Sequence, residues 1–449
     1  MRWLLLMLIA VLAVGDIFSM DLSLATGLSL KNAMLYLVVV ALVFRTCVSG
    51  ELKMGQLDVH ALFAVWIGYA AVTLFLAAFV IHYPGYHLGD ALITLKTNVF
   101  DTALFCFAAL WGLRDERDVR VVVSALAAVM AISSVFTLLD VRGIIHLNIY
   151  IGDSGVQEGR VFGVFGHANE TGTLLACFLP ALFAQTTSAR GFPRLLWVIG
   201  TTASIAVFLM TISRGAFAGL FVGLLWGGYL CRRYVPLQRL VLWAVIIVVA
   251  VPIALAIASA VDPYLRGYLA DRLFGQSMGL SLGEISSGRT GLWMRIVDQM
   301  MDAPASLLFG FGWNVYSTTP YMLPTHNHYL DLWFNLGLVG VGVFVLIMRR
   351  GIVAALHAIP LASERDRPMF VAYVLGMLAL LVAIIFANLF RPWPYIWIYF
   401  GAMLRGALLV QTRAVERPVA VTPAAAPQVR TAGGVAARPQ PAITWSRRG

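Results

Sequence analysis

Two histidines and an asparagine stand directly ahead of a long apolar run in the stretch PTHNHYLDLWFNLGLVG, residues 324–340. A neutral imidazole can accept a proton, and the partial positive charge at a helix N-terminus favours the neutral form over the imidazolium. His326 and His328 are two residues apart, so on a helix they point to nearly opposite sides and only one can face a given cleft. At most one of them can therefore act as a general base in a given site, and His328, near Asp331, is the candidate for a structural role. Each could also be an ordinary polar loop residue, as could His167 in the stretch GHANE.

Four arginines form the second group of candidate functional residues. Arg214 in MTISRGAFAG and Arg391 in NLFRPWPYIW lie in very short connections between apolar runs, so neither can move far from the membrane surface. Arg289 opens the segment RTGLWMRIVDQMM, whose apolar residues recur with the spacing of an amphipathic helix, and Arg160 precedes VFGVFGHANE. Guanidinium groups suit phosphate and pyrophosphate through paired charge-assisted hydrogen bonds. The group predicts a lipid-linked pyrophosphate ligand, although each arginine alone could simply reach lipid phosphates.

The composition determines the class of protein in which these residues act. Of 449 residues, 60% are hydrophobic and only 12% are charged, and the mean hydropathy is +0.84. The apolar runs are long enough to cross a bilayer and are continuous rather than alternating, which predicts transmembrane helices and excludes a soluble domain or a β-barrel. The four cysteines show no spacing typical of a disulfide framework or a metal site. We therefore expect an all-α polytopic membrane protein without metal or cofactor.

The apolar runs predict about twelve transmembrane helices, the first of which is the N-terminal run rather than a cleaved signal peptide. The predicted spans are 3–20, 33–50, 60–81, 92–113, 119–139, 170–186, 195–212, 215–231, 238–260, 327–348, 369–388 and 393–410. The longest connection, residues 261–326, lies between the ninth and tenth spans and ends at His326. We expect a membrane domain over residues 1–410 that includes this loop, followed by a disordered tail over 411–449.

The distribution of basic residues predicts the orientation. If the N-terminus is cytoplasmic, about two thirds of the 32 basic residues fall in inner segments, as the positive-inside rule requires. An even number of spans then places both termini in the cytoplasm, and the candidate histidines and arginines face the outer side of the membrane. This distribution accounts for the net charge of +10 without a nucleic-acid partner, and the basic tail would lie near anionic membrane lipids.

An ordered set of motifs resembles the O-antigen ligase and O-antigen polymerase superfamily. His326-Asn327 is followed after nine residues by Gly337 and, two residues later, by Gly340. The stretches SRGAFAG, SSGRTGLW and FGFGWNVY precede this signature in the order typical of the superfamily. The resemblance covers roughly residues 160–345 by motif. One departure is Ala168, which stands before Asn169 where the family often has proline.

The resemblance implies a metal-independent glycosyltransferase that moves O-antigen from undecaprenyl pyrophosphate to an acceptor hydroxyl with inversion. It implies that His326 is the catalytic base and that Arg214 and Arg289 bind the pyrophosphate. Arg160 and Arg391 are further candidate pyrophosphate ligands, and the supporting residues are Asn327, His328, His167 and Asn169. The implied partners are an undecaprenyl-pyrophosphate-linked glycan, the lipid A–core oligosaccharide as acceptor, and membrane lipids.

Two other members of the superfamily and two other classes stay open. An O-antigen polymerase would use a second lipid-linked glycan as acceptor, and a protein O-oligosaccharyltransferase would use a polypeptide. Twelve helices also suit a secondary transporter, but the sequence shows no clear internal repeat and its notable polar residues collect at one face. A non-catalytic scaffold would leave the predicted anion site unexplained.

Overall fold

The computed structural model describes residues 1–20, 22–49, 58–147, 161–235, 289–321, 325–388 and 393–416. These residues form an all-α membrane protein, in which the described strands are a single short antiparallel hairpin, Ser23–Ala25 (β1) with Leu28–Ser29 (β2). The predicted span 238–260, residues 261–288 and 322–324 of the predicted loop, and residues 417–449 lie outside the described residues.

The first half of the described chain contains nine α-helices. The helices are α1 (Arg2–Ile17), α2 (Leu30–Ser49), α3 (Asp58–Leu76), α4 (Leu88–Leu95), α5 (Asp101–Gly112), α6 (Glu116–Val141), α7 (Ala168–Ser188), α8 (Phe192–Met210) and α9 (Arg214–Leu230). A π-helical turn, Ala77–Ile81, extends α3, and a second one, Lys96–Phe100, joins α4 to α5.

The second half begins with short helices and ends with long ones. The helices are α10 (Arg289–Met301), α11 (Pro304–Phe309), α12 (His328–Ala358), α13 (Arg367–Ala383) and α14 (Trp393–Glu416), with a 3₁₀ turn at Val315–Thr318. As the sequence predicts, α10 is amphipathic and buries Leu292, Ile296 and Met300.

Every predicted span within the described residues coincides with a helix. Six described helical segments are long and apolar enough to cross a membrane; they are Leu30–Val48, Val59–Ile81, Leu88–Gly112, Glu116–Val141, Phe192–Met210 and His328–Ala358. The total of twelve spans stays a prediction. One boundary needs correction, because residues 411–416, predicted as the start of a disordered tail, continue α14. Arg413 there forms an ion pair of 2.8 Å with Glu116, which favours the ordered helix.

Glycines allow the central helices to pack closely. On α9, Gly219 and Gly223 face α13, where an added Cβ would lie 2.5 Å from the Ala379 carbonyl oxygen or 2.6 Å from its nitrogen. On α13, a Cβ at Gly376 would collide with the Cys177 carbonyl of α7. Small residues at such spacing let transmembrane helices approach until their backbones touch. This packing fixes α9, whose first residue is Arg214, against α7 and α13.

Two ion pairs with α6 lie at one end of the helix bundle. Arg2 pairs with Asp118 at 2.9 Å, and Arg413 pairs with Glu116 two residues earlier on α6. The first helix therefore begins, and the last described helix ends, at the same end of the protein. The segments that carry the candidate histidines lie at the opposite end, where α7 and α12 begin.

Gly337, the first glycine of the family signature, lies at a break in α12 that requires glycine. Gly337 has φ 65° and ψ −172°, a backbone conformation that is almost restricted to glycine. The break frees two carbonyls, so that Phe334 O accepts from Phe311 N–H at 2.8 Å and Asn335 O accepts from Gly312 N–H at 3.0 Å. A Cβ at Gly337 would also collide with the Leu308 carbonyl. The break thus docks the end of α11 onto α12.

We expect Gly337→Ala to destabilise the protein, because the left-handed backbone alone costs about 1–3 kcal/mol and the new Cβ meets backbone atoms. Gly342→Ala is a matched control on the same helix, since a Cβ there meets nothing within 4 Å. It should leave the free energy of unfolding unchanged or raise it by up to about 1 kcal/mol. Thermal unfolding in detergent, followed by tryptophan fluorescence, measures both; equal midpoints would contradict the account of the break.

Candidate functional site

The N-termini of three helices carry the candidate residues and their caps. His167 is the N-cap of α7, and its Nδ1 accepts from the Asn169 N–H at 3.2 Å. Ser213 caps α9 directly before Arg214, and Asn327 caps α12, where its side chain accepts from the Leu330 N–H at 3.0 Å. Helix N-termini carry partial positive charge and favour bound anions. Asn327 caps α12 with its side chain, and Asn169 contributes its backbone N–H to the cap of α7; the supporting roles of both stay predictions.

The structure brings two of the three candidate histidines, His167 and His326, together. The imidazoles of His167 and His326 stack with their ring centroids 5.6 Å apart and their planes inclined by 28°. Phe162 also stacks on His167, with their ring centroids 5.9 Å apart. Phe162 and His167 thus share one surface with His326, which is far from them in sequence, at the start of α7 and α12. Sequence spacing gave no indication of this pairing.

His326 lies just outside α12, which corrects the helical position assumed from the sequence. Its φ is 48°, in the left-handed region. The residue that caps the helix is Asn327 and not His326. His328 begins the helix and is buried, with its ring against Phe344 at 5.4 Å and its backbone N–H donating to Ile384 O at 3.0 Å. The two histidines do face different surroundings as predicted, but the left-handed turn rather than helix geometry separates them.

A second strained residue lies beside Arg214. Ile212 has φ 46°, which is a rare conformation for a β-branched side chain. Its turn leads from α8 into Ser213 and α9, and it packs closely on α7, where a Cβ at Gly172 would lie 3.0 Å from Ser213 Cβ. Strained backbone at non-glycine residues concentrates at functional sites. Both strained turns of this region thus present a candidate residue, His326 or Arg214.

The turn after α13 connects the two described arginines. Arg289, the first residue of α10, donates from Nη1 to the Phe386 carbonyl at 3.0 Å. Phe386 also packs on Gly215, the residue after Arg214, where a Cβ would lie 2.5 Å from the Phe386 Cβ. Both arginines therefore flank one turn. Arg160 and Arg391 lie outside the described residues, so their placement stays a prediction.

A hydrogen-bonded frame that the sequence did not reveal holds the His326 segment. The Trp293 indole N–H donates to Thr325 O at 2.8 Å, which ties the segment to α10. The Asn388 side-chain amide donates to the Thr325 hydroxyl at 3.1 Å, and the Asn327 N–H donates to the same hydroxyl at 3.3 Å. Asn388 lies more than sixty residues away in a loop without a recognisable motif, so only the folded chain identifies it.

The surroundings of His326 favour its neutral form. Burial and, as the smaller cause, the nearby positive charge of Arg289 together lower the pKa of His326 from 6.5 to about 4. The imidazole is therefore uncharged at neutral pH and can accept a proton. The same arginine can bind an anion, so one group of residues can combine a base with an anion site.

Within the described ranges there is no group of three or more His, Cys, Asp or Glu residues that could hold a metal ion. The four cysteines are all among the described residues and are not paired; Cys106, Cys177 and Cys231 are buried. The described site chemistry therefore consists of imidazole, guanidinium and helix N–H groups.

Comparison with known families supports the resemblance. Residues 199–345 match the family model described as O-antigen ligase. This match is consistent with the O-antigen ligase and polymerase superfamily. No curated protein matches the chain. The matched segment of this ligase family contains Arg214, Arg289 and His326, whereas His167 lies before it. The match over these residues indicates an enzyme of the membrane glycosyltransferase type, with polysaccharide and lipid-linked substrates.

The pKa of His326 can be measured by NMR titration of protein labelled with ¹⁵N-histidine. Because its pKa is lowered to about 4, the imidazole should still be neutral one pH unit below 6.5 and should become charged only on further acidification. Arg289→Gln should raise the pKa only part of the way to 6.5, since burial is the larger cause. Arg295 is exposed on the same helix, and Arg295→Gln should leave the pKa of His326 unchanged. Titration of His326 at or above 6.5 would contradict this description.

Proposed function

We propose that the protein is an O-antigen ligase of the bacterial inner membrane. It transfers O-antigen polysaccharide from undecaprenyl pyrophosphate to a sugar hydroxyl of lipid A–core on the periplasmic side, without metal or cofactor. The observation that carries the proposal is the junction of a neutral imidazole, His326, with Arg289 and Arg214 at one end of the helix bundle. The family match over residues 199–345 supports the class of reaction.

His326 acts as the general base in this proposal. Its neutral imidazole accepts the proton of the acceptor hydroxyl as the hydroxyl oxygen attacks the anomeric carbon of the donor sugar. The bond between that carbon and the pyrophosphate oxygen breaks on the opposite face, so direct displacement inverts the anomeric centre. His167, stacked on His326, holds the ring in place from the side of α7.

The arginines stabilise the leaving group. Negative charge grows on the pyrophosphate as the glycosidic bond breaks, and guanidinium groups fixed in advance stabilise such charge without reorganisation. Arg214 projects from the exposed start of α9, and Arg289 is held by its hydrogen bond to the Phe386 carbonyl. The helix N-termini beside them add partial positive charge. Arg160 and Arg391 are further ligands of the pyrophosphate in this proposal.

The topology supports a periplasmic site. The histidine-bearing end of the bundle is opposite the end where Arg2, Arg120 and Arg413 form ion pairs. The positive-inside rule assigns that basic end to the cytoplasm. With twelve spans, both termini are cytoplasmic and the loop 261–326 between the ninth and tenth spans is periplasmic, where lipid A–core is available as acceptor.

An O-antigen polymerase and a protein O-oligosaccharyltransferase would use the same residues with another acceptor. Lipid A–core is favoured on the predicted topology, with twelve spans and one dominant late periplasmic loop. A secondary transporter is the alternative from another class. It would need ionisable residues along a path through the membrane, whereas the neutral base and the arginines lie together at one end of the bundle.

A strain that lacks the gene tests the acceptor and the base together. Its lipopolysaccharide should lack the entire polymer ladder on gels while undecaprenyl-linked polymer accumulates. Complementation with His326→Ala should not restore the ladder, because no group accepts the acceptor proton. His357→Ala, an exposed histidine at the opposite end of α12 from His326, should restore it at equal protein levels. A single capped repeat in the null strain indicates a polymerase, and a ladder restored by His326→Ala removes the base assignment.

Purified protein tests the anion site. Arg289→Ala should lower kcat/KM for transfer by roughly a hundredfold, as loss of a fixed donor to a developing anion does in other enzymes. Arg289→Lys should recover little of this, because lysine lacks the paired donors of the guanidinium fork. Arg295→Lys, on the same helix but exposed, is the control and should behave as wild type. Full activity in Arg289→Lys would indicate simple charge attraction instead.

A further inference from the structure

A second polar site lies at the same end of the protein as the histidine pair. A cavity of about 600 Å³ opens between the end of α1, the β1–β2 hairpin, the start of α2, the π-helical turn before α5 and the start of α14. Its polar lining includes Asp16, Lys31, Asn32, Asn98 and Asp101. The volume falls within the range of roughly 300–1,000 Å³ that ligand pockets occupy.

The charges around the cavity are paired with one another. Lys31 binds Asp16, which also accepts from the Tyr395 hydroxyl at 2.8 Å. Asp101 is 1% exposed and pairs with Lys96 at 2.9 Å. Ionisable residues inside membrane segments are costly and commonly mark functional sites. Because each carboxylate has its own cation, the cavity carries little net charge and suits a neutral polar ligand rather than a second phosphate.

The remaining lining suits a ligand rich in hydroxyl groups. Carboxylates accept hydrogen bonds, the ammonium of Lys31 donates them, and the amides of Asn32 and Asn98 do both, as a sugar hydroxyl requires of its partners. Phe105 and Phe165 also line the cavity and offer apolar surface for the carbon–hydrogen face of a sugar ring. A mixed lining of this kind fits a saccharide better than a lipid chain.

One loop connects the cavity to the candidate active site. Val164 and Phe165 form part of the cavity wall, and His167, two residues later, stacks on His326. The Phe165 ring also contacts Tyr395, whose hydroxyl donates to Asp16. A polymer chain whose reacting sugar lies at His326 can therefore extend along this loop towards the cavity.

We propose that the cavity binds the saccharide part of a substrate of the glycosyl transfer, at a subsite separate from the base and the arginines. This inference rests on the proposed function for the identity of the saccharide. The sugar can belong to the donor glycan or to the acceptor oligosaccharide, and both would be recognised by the same hydroxyl contacts.

Cysteine protection tests the proposal without requiring catalysis. Thr97 is an exposed lining residue, and Phe100, exposed on the same π-helical turn, does not line the cavity. Thr97→Cys and Phe100→Cys are each made in full-length protein with Cys47→Ser, which removes the exposed native thiol; the other three cysteines are buried. Maleimide labelling is then followed with lipid-free acceptor core oligosaccharide or with lipid-free O-antigen.

One of the two saccharides should slow labelling at position 97 and leave position 100 unchanged. At a concentration of about twice its Kd, mass action predicts roughly threefold slower labelling. Adding Asn98→Ala should raise the concentration for half-protection by about tenfold, the loss expected for one hydrogen bond in a binding site. Protection by core oligosaccharide identifies an acceptor subsite, and protection by O-antigen identifies a donor subsite.

The outcomes separate this inference from the proposed function. If transfer depends on His326 but neither saccharide slows maleimide labelling at position 97, the cavity proposal is overturned and the ligase proposal stays intact. Protection in a protein that performs no transfer would refute the ligase proposal while supporting saccharide binding in the cavity. Equal protection at positions 97 and 100 would also overturn the proposal, because the effect would then not be local.

Discussion

The site depends on a single electrostatic constraint: a base must stay uncharged beside groups that attract anions. Burial and the charge of Arg289 both keep the proton off His326. The N-terminus of α12, which starts directly after it, acts in the same direction. The charges that exclude the proton are also those that would hold a diphosphate. One arrangement therefore serves both parts of a displacement reaction, in which a hydroxyl loses a proton and a phosphate oxygen gains charge.

The fold supplies the rigidity that this arrangement needs. The left-handed turns at Ile212 and His326 place Arg214 and the imidazole at the ends of helices, and strain of this kind persists only in a well-packed frame. Close glycine contacts between α9 and α13 fix one side of the frame. The break in α12 at Gly337, which docks the end of α11, fixes the other. Packing at a distance from the site thus determines where its polar groups lie.

Much of the fold follows from the sequence because hydropathy and helix length are local properties. Charge and position selected Arg214 and Arg289 as candidates, the family resemblance selected His326 as the base, and the described structure brings these residues to one end of the bundle. Other features depend on long-range packing and could not be foreseen. The stacking of His167 on His326 joins two helix starts far apart in sequence. The Asn388 contact with Thr325 comes from a loop without any distinguishing pattern. The continuation of α14 beyond residue 410 depends on an ion pair with α6.

The central claim is that a lipid diphosphate and a neutral imidazole meet at this end of the protein. The most direct measurement is an electron cryomicroscopy structure of the wild-type protein in nanodiscs with an undecaprenyl-diphosphate-linked glycan and no acceptor. The account predicts the diphosphate within hydrogen-bonding reach of both Arg214 and Arg289, with the first sugar directed towards His326. A diphosphate bound at the opposite end of the bundle, or out of reach of these arginines, would contradict it.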